Sequence, residues 1–300
     1  IEIKKNPFLI EFLNYKKKDN QKATINFNGY LNNKNQIIVN SLSLKEKENQ
    51  IKIKNLRFNN EFEIIGLDQI DLDYYDKNEQ KNLIKIIKKN NEYTLDGSFF
   101  NADNLIENIL FDDEDDIGIL NKNFQMKVNI DNVRLDNEYN LNNFSGNLFF
   151  KDKKIYNAKL SGNFSNDKKM NFTVKSNGST KITTLFLDHA EPIVKRYKFI
   201  KGFDEGILDF YSTKNGDESS SQLKIYNFKL KKLPALTKIL TLASLQGIAD
   251  ILSGEGIRFD EFEMNFKNKK KLMTIDEIYA IGPAISILMN GYVEKNKLVS

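Results

Sequence analysis

Apolar and polar residues alternate along most of the chain. Ala23, Ile25 and Phe27 interleave with Thr24, Asn26 and Asn28, and the same texture returns at Ile51 and Ile53, at Phe62 and Ile64, and at Ile70, Leu72 and Tyr74. A strand turns successive side chains to opposite faces, so period two predicts half-buried β-strands. Leu83–Lys88 also reads as a strand, because Asn90-Asn91 leads straight into Tyr93-Thr94-Leu95. Strands resume with Phe124, Met126, Val128 and Ile130. They continue through Leu148–Phe150, Ala158–Phe164, Met170–Val174, Ile207–Phe210 and Leu223–Leu230. Asn59-Asn60, Asn90-Asn91, Lys153-Lys154, Asn166-Asp167 and Asn177-Gly178 fall between these runs and predict tight turns, since Asn and Gly accept positive φ.

Three stretches break the alternation. Leu105, Ile106, Ile109 and Leu110 predict a short helix over Ala102–Leu110, capped by Asn101 or Asp103. A second helix is expected over Asp188–Lys198, with Pro192 in its first turn. The third runs from Leu233 to Leu252. Pro234 sits where its missing N–H costs nothing, and Leu236, Ile239, Leu240, Ala243, Ile248, Ile251 and Leu252 recur at three- and four-residue spacing. Gly254 and Gly256 end it, and alternating strands follow. Such a stripe is most often core packing, and its expected place is over one end or edge of the sheet.

The count of strands sets the fold class: mainly β, a long antiparallel meander with about three short helices, the amphipathic one capping it near the C-terminal end. A sheet this long curls, splits into two packed layers, or leaves its apolar face to a ligand. Alternation alone fits a closed sandwich as well as a curled groove.

Composition narrows the chemistry. Apolar residues make up 40% and charged residues 29% of the 300, which indicates a folded chain. The 45 basic and 41 acidic residues are interspersed, and Arg57, Arg134, Arg196 and Arg258 are the only arginines. A nucleic-acid surface concentrates such charge on one face, so no nucleic-acid partner is expected. Cysteine is absent, so no disulfide or thiolate chemistry is available. The lone His189 has no second His or Cys to form a metal pair, and a capping or surface role is expected. Asp112, Asp113, Glu114, Asp115 and Asp116 lack the alternating ligands and central glycine of a calcium loop, and read as a solvated loop. No nucleophile elbow, phosphate loop or dinucleotide fingerprint occurs. Neither an enzyme nor a cofactor or metal site is expected. No run of 18 apolar residues occurs, and Lys238, Gln246 and Asp250 interrupt the best candidate, Leu233–Leu252. The chain starts at Ile1 and stops in mid-pattern at Leu298-Val299-Ser300, so a piece of a longer protein is expected, with any membrane anchor outside it.

The run LPALTKILTLASLQGIADILSGEGIRFDEFEMNF, followed by Ala280-Ile281-Gly282-Pro283-Ala284 and Asn290-Gly291, resembles the C-terminal region of AsmA-like envelope proteins. The YhdP type is the nearest subgroup and TamB a more distant relative. The resemblance is specific over residues 188–293, weaker over about 60–187, and only textural before that. It divides the chain into a strand-repeat segment, 1–187, and an AsmA-like segment, 188–300. It implies a protein anchored in the inner membrane, its β-sheet groove facing the periplasm and conducting phospholipid between inner and outer membranes. The groove lining would then be the inward members of the alternation: Phe172, Val174, Phe262, Met264, Phe266, Ile285, Ile287 and Met289. Two alternatives stand beside it: an assembly module that pairs open sheet edges with outer-membrane proteins, and a structural β-domain with no ligand.

Overall fold

Strands take 69% of the described residues and helices 4%, as the alternation predicts. The structure is a computed structural model and describes residues 1–10, 13–106, 120–196, 202–231, 256–269 and 272–294. It divides into two compact units, residues 1–165 and 166–300. The first unit holds β1 (Glu2–Ile3), β2 (Leu9–Ile10), β3 (Tyr15–Lys16), β4 (Ala23–Leu31), β5 (Ile37–Glu46), β6 (Asn49–Phe58) and β7 (Ile64–Gly66). It continues with β8 (Gln69–Tyr75), β9 (Lys81–Lys89), β10 (Glu92–Asn101), β11 (Phe124–Arg134), β12 (Asn140–Lys151) and β13 (Lys154–Asn163). The second unit holds β14 (Lys169–Asn177), β15 (Thr180–Leu187), α1 (Glu191–Val194), β16 (Phe203–Asn215) and β17 (Glu218–Leu230). It ends with β18 (Ile257–Lys269), β19 (Leu272–Ile281) and β20 (Ser286–Glu294).

β2 and β3 form a small sheet of their own. In the large sheet of the first unit β1 pairs with β4, β6 pairs with both β7 and β8, and the pairings are antiparallel except that β10 and β11 run parallel, so the sheet is mixed. This corrects the expectation of a purely antiparallel meander. The physical reason lies between Asn101 and Phe124, a connection far longer than a hairpin needs, and parallel neighbours require such a crossover. Its start is a helical turn at 103–106, where Asn101 Oδ1 accepts the Asp103 N–H at 3.2 Å. The rest of the predicted helix and the acidic run Asp112–Asp116 lie outside the described residues.

Turn chemistry differs in detail from the sequence expectation. Asn90 does take φ 56° between β9 and β10. At the β12–β13 hairpin the positive φ angles fall on Asp152 and Lys153, the two loop residues, and Lys154 already pairs with Lys151. Asn59 works through its side chain instead, accepting the Glu61 and Glu63 N–H groups at 3.0 and 2.8 Å, while Phe62 takes φ 61°.

Buried apolar residues of the first unit run along its strands, among them Leu72, Ile84, Val128 and Ile130. Leu56, Leu67, Tyr93, Leu120, Phe124 and Phe150 form one buried cluster, with Phe124 stacked on Phe150 at 4.6 Å. Four of these residues come from β6, β10, β11 and β12, and Leu67 and Leu120 from the connections before β8 and β11, so the sheet bends enough to bring distant strands together. The same bend lets Lys153, in the β12–β13 turn, pair with Glu63 at 2.9 Å. At the strand ends opposite this cluster Tyr15 is fully buried, donates to Glu46 at 2.5 Å, and packs edge-on against Tyr74. Lys17, also buried, donates to the Lys18 carbonyl at 3.0 Å.

The second unit is a seven-strand antiparallel meander, β14 to β20, joined by hairpins and by the segments that carry α1 and residues 232–255. The helix expected from Asp188 begins only at Glu191, with Ala190 at its N-cap. Buried Glu191 explains the position: its carboxylate accepts the Glu205 N–H at 2.7 Å and pairs with Lys195 at 2.6 Å, pinning the helix to β16. The amphipathic stretch Leu233–Leu252 lies outside the described residues. So do the side chains proposed for its stripe: Leu236, Ile239, Leu240, Ala243, Ile248, Ile251 and Leu252.

Candidate apolar binding face

Cross-strand register decides which side chains share a face, because opposite residues of paired strands point the same way. In the second unit one row runs Phe172, Leu185, Phe210, Leu223, Met264, Ile278 and Met289, one residue from each of the seven strands. The adjacent row is Met170, Leu187, Leu208, Ile225, Phe262, Ala280 and Ile287. Neither carries a polar or charged residue. At a strand spacing of about 4.8 Å, six intervals give an apolar lane about 29 Å long.

Seven of the eight residues picked from the sequence fall on this face: Phe172, Val174, Phe262, Met264, Phe266, Ile287 and Met289. Ile285 lies just before β20, in the turn where its carbonyl accepts the Gly282 N–H at 3.0 Å. The sequence list left out Leu185, Phe210, Leu223 and Ile278, which complete the first row. Alternation in their own strands marks each as apolar-face. Only the register shows that they join into one line.

The lane has two different margins. On one side, Val174 and Phe266 belong to a row whose middle is Thr183, Ser212 and Ser221, with the Ser221 hydroxyl donating to Ser212 at 2.8 Å. One step further, Lys181 and Lys214 stand directly opposite each other. On the other side, Phe203, Phe228 and Phe259 stack with centroids 5.4 and 5.1 Å apart. Phe228 follows Ile225 by three positions, yet a methyl group at Gly206 would touch both, at 3.1 and 3.2 Å. Asn227, at φ 53°, supplies the extra step that returns Phe228 to this face. Asn55, at φ 50°, does the same between Ile53 and Leu56 in the first unit.

The reverse face of the second unit is polar and internally paired. Glu263 accepts hydrogen bonds from Lys224 at 2.8 Å, Gln222 at 2.7 Å, Asn265 at 2.8 Å and Tyr279 at 2.6 Å. Burial opposes its charge, but these four donors outweigh it and hold the carboxyl down at about 2. The hydrogen bond to Glu263, helped by burial, raises Tyr279 in turn. A strand carboxylate flanked by Phe262 and Met264 gave no such signal in the sequence, because three of its four partners lie on two other strands, β17 and β19.

The first unit repeats the pattern. Phe27, Leu42, Ile53, Ile70, Ile86, Leu95, Val128, Gly146 and Leu160 form one uncharged row across nine strands. Its reverse face carries a ladder of opposite charges, Lys52, Asp71, Lys85 and Asp96, each directly across from the next.

His189 lies just before α1, its Nδ1 3.4 Å from the Lys168 ammonium. Burial, then the Lys168 charge, lowers its pKa from 6.5, so the ring is largely neutral at pH 7. Among the described residues no group of three His, Asp or Glu is placed to hold a metal ion, and no helix is long and apolar enough to cross a membrane. What the arrangement offers is long strips of apolar surface backed by charged ones. No protein-family model, curated protein or solved structure matches the chain.

Proposed function

We propose that the chain is a non-enzymatic lipid-binding and lipid-transport module that lays phospholipid acyl chains along its uncharged cross-strand rows. The row from Phe172 to Met289 carries this reading. Its length of about 29 Å is close to the ~30 Å hydrocarbon thickness of a bilayer, room for about two acyl chains end to end. Six of its seven side chains are half-buried and Met289 is 54% exposed, so apolar contact remains to be gained. Burial of a methylene is worth about 0.8 kcal/mol wherever it occurs along such a row. A chain that slides one strand along exchanges one set of contacts for an equal set, so movement needs no cofactor. A charge in the row would raise a barrier.

In this reading the sheet is an elongated groove, and the head groups ride at the hydroxyl and lysine margin. The setting is the one the AsmA-like resemblance implies: a bacterial envelope, with this region in the periplasm, an inner-membrane anchor elsewhere in the protein, and the outer membrane as the far end of the path.

The test is mass spectrometry of lipid retained after detergent-free purification. Phospholipid at fixed stoichiometry, lost in Met264→Asp and in Ile287→Asp while circular dichroism still reports the sheet, is the expected result. A folded wild-type chain free of lipid, or variants that keep their lipid, overturns the proposal.

A further inference from the structure

We propose that Arg57, Lys88 and Lys122 form an anion site in the first unit, built to take a phosphate group. The three cations gather at the turn Leu67-Asp68, just before β8. The Asp68 backbone ties the turn down: its N–H donates to the Lys54 carbonyl at 3.0 Å, and its carbonyl accepts the Lys88 N–H at 2.8 Å. The Leu67 carbonyl accepts the Tyr93 hydroxyl at 3.1 Å. Lys122 lies over the ring of that tyrosine, its ammonium 5.7 Å from the centroid. Lys88 stands directly opposite Tyr93, one same-face step beyond Ile86 and Leu95 of the uncharged row. Both lysines are half-buried.

One carboxylate serves all three cations. Asp68 pairs with Arg57 at 2.8 Å and accepts a hydrogen bond from Asn55 at 2.8 Å. Among the described residues neither Lys88 nor Lys122 forms an ion pair. Glu63, which Asn121 beside Lys122 reaches, is already held by Lys153 and Asn59, both at 2.9 Å. Burial, then the charges of Lys88 and Arg57, lowers the Lys122 pKa, and Asp68 is the one charge that opposes them. The ladder Lys52, Asp71, Lys85 and Asp96 on the reverse face shows the contrast, since each cation there stands across from a carboxylate. An oxyanion between the lysines turns their repulsion into charge-assisted hydrogen bonds, and a guanidinium with two ammonium groups suits a group with several acceptor oxygens. Two sources carry such a group, a phospholipid head group and free phosphate. The site stands whether or not the apolar rows hold acyl chains.

Titration calorimetry with inorganic phosphate at low salt tests one source, and flotation with phosphatidylglycerol vesicles tests the other. Each is run on the wild type and on Lys88→Gln/Lys122→Gln, which keeps the side-chain stems and so the cover over Tyr93. Lys127→Gln/Lys159→Gln is the control, removing the same charge from exposed positions of β11 and β13. For free phosphate, the expected result is binding by wild type and control, weakened about tenfold for each lysine lost from the site. No phosphate binding, but flotation that the site change reduces and the control change does not, assigns the group to a lipid head group. Neither probe bound by the wild type, binding that the site change leaves intact, or equal losses in the two double variants, with circular dichroism reporting the sheet throughout, each overturns the proposal.

Discussion

The two units use one pattern and end it differently. In the first, the strands' ends are occupied: the Tyr93, Phe124 and Phe150 cluster fills one, and Tyr15, Lys17 and Tyr74 fill the other. The β4 edge is partly covered by β1. In the second, the row from Phe172 to Met289 runs out to β20, which among the described residues pairs with β19 alone. An amphipathic sheet therefore becomes core or surface according to what packs against it, and alternation does not carry that information.

The contrast between packed and half-packed positions can be tested by truncation. Phe228→Ala, in the buried stack, is expected to cost about 3–5 kcal/mol, and Leu223→Ala, half-buried in the open row, less than half of that. Denaturant titrations compare them. Equal losses would mean that the row is as tightly packed as the stack. Next in size is Tyr15→Phe, which removes a donor from buried Glu46 and should cost about 1–3 kcal/mol, read as a lower thermal midpoint.

Acid sharpens the comparison further, because the polar backing of the second unit's lane depends on an ionised Glu263. Its folded pKa, about 2, lies below the unfolded value of 4.5. The carboxylate therefore adds stability that is fully present above 4.5 and is lost as pH falls from there towards 2. Thermal midpoints of wild type and Glu263→Gln should converge across that window. Parallel curves would remove Glu263 from the account. The smallest effect is expected from Lys153→Ala, which opens a largely solvated ion pair with Glu63 across the bend of the first unit. Its small shift in midpoint should shrink as salt is added.

Much of the fold was legible in the sequence. Strand identity and inward residues could be read from period two alone, which is why seven of eight chosen lining residues share a face. The parallel pairing of β10 with β11 was not read, although the gap between Asn101 and Phe124 was a usable signal. The late start of α1 was hidden because it depends on Glu191 reaching the Glu205 N–H, fourteen residues on. The in-strand shifts at Asn55 and Asn227 were hidden too, since asparagine at positive φ looks from sequence like a turn residue.

The sequence by itself determined which residues form strands and which side of each strand is apolar, because both follow from local sterics and a two-residue period. Only the tertiary structure decided which strands are neighbours and in what register their apolar positions line up. Those depend on hydrogen-bond ladders between residues far apart in the chain, and a local pattern fits many such ladders equally well.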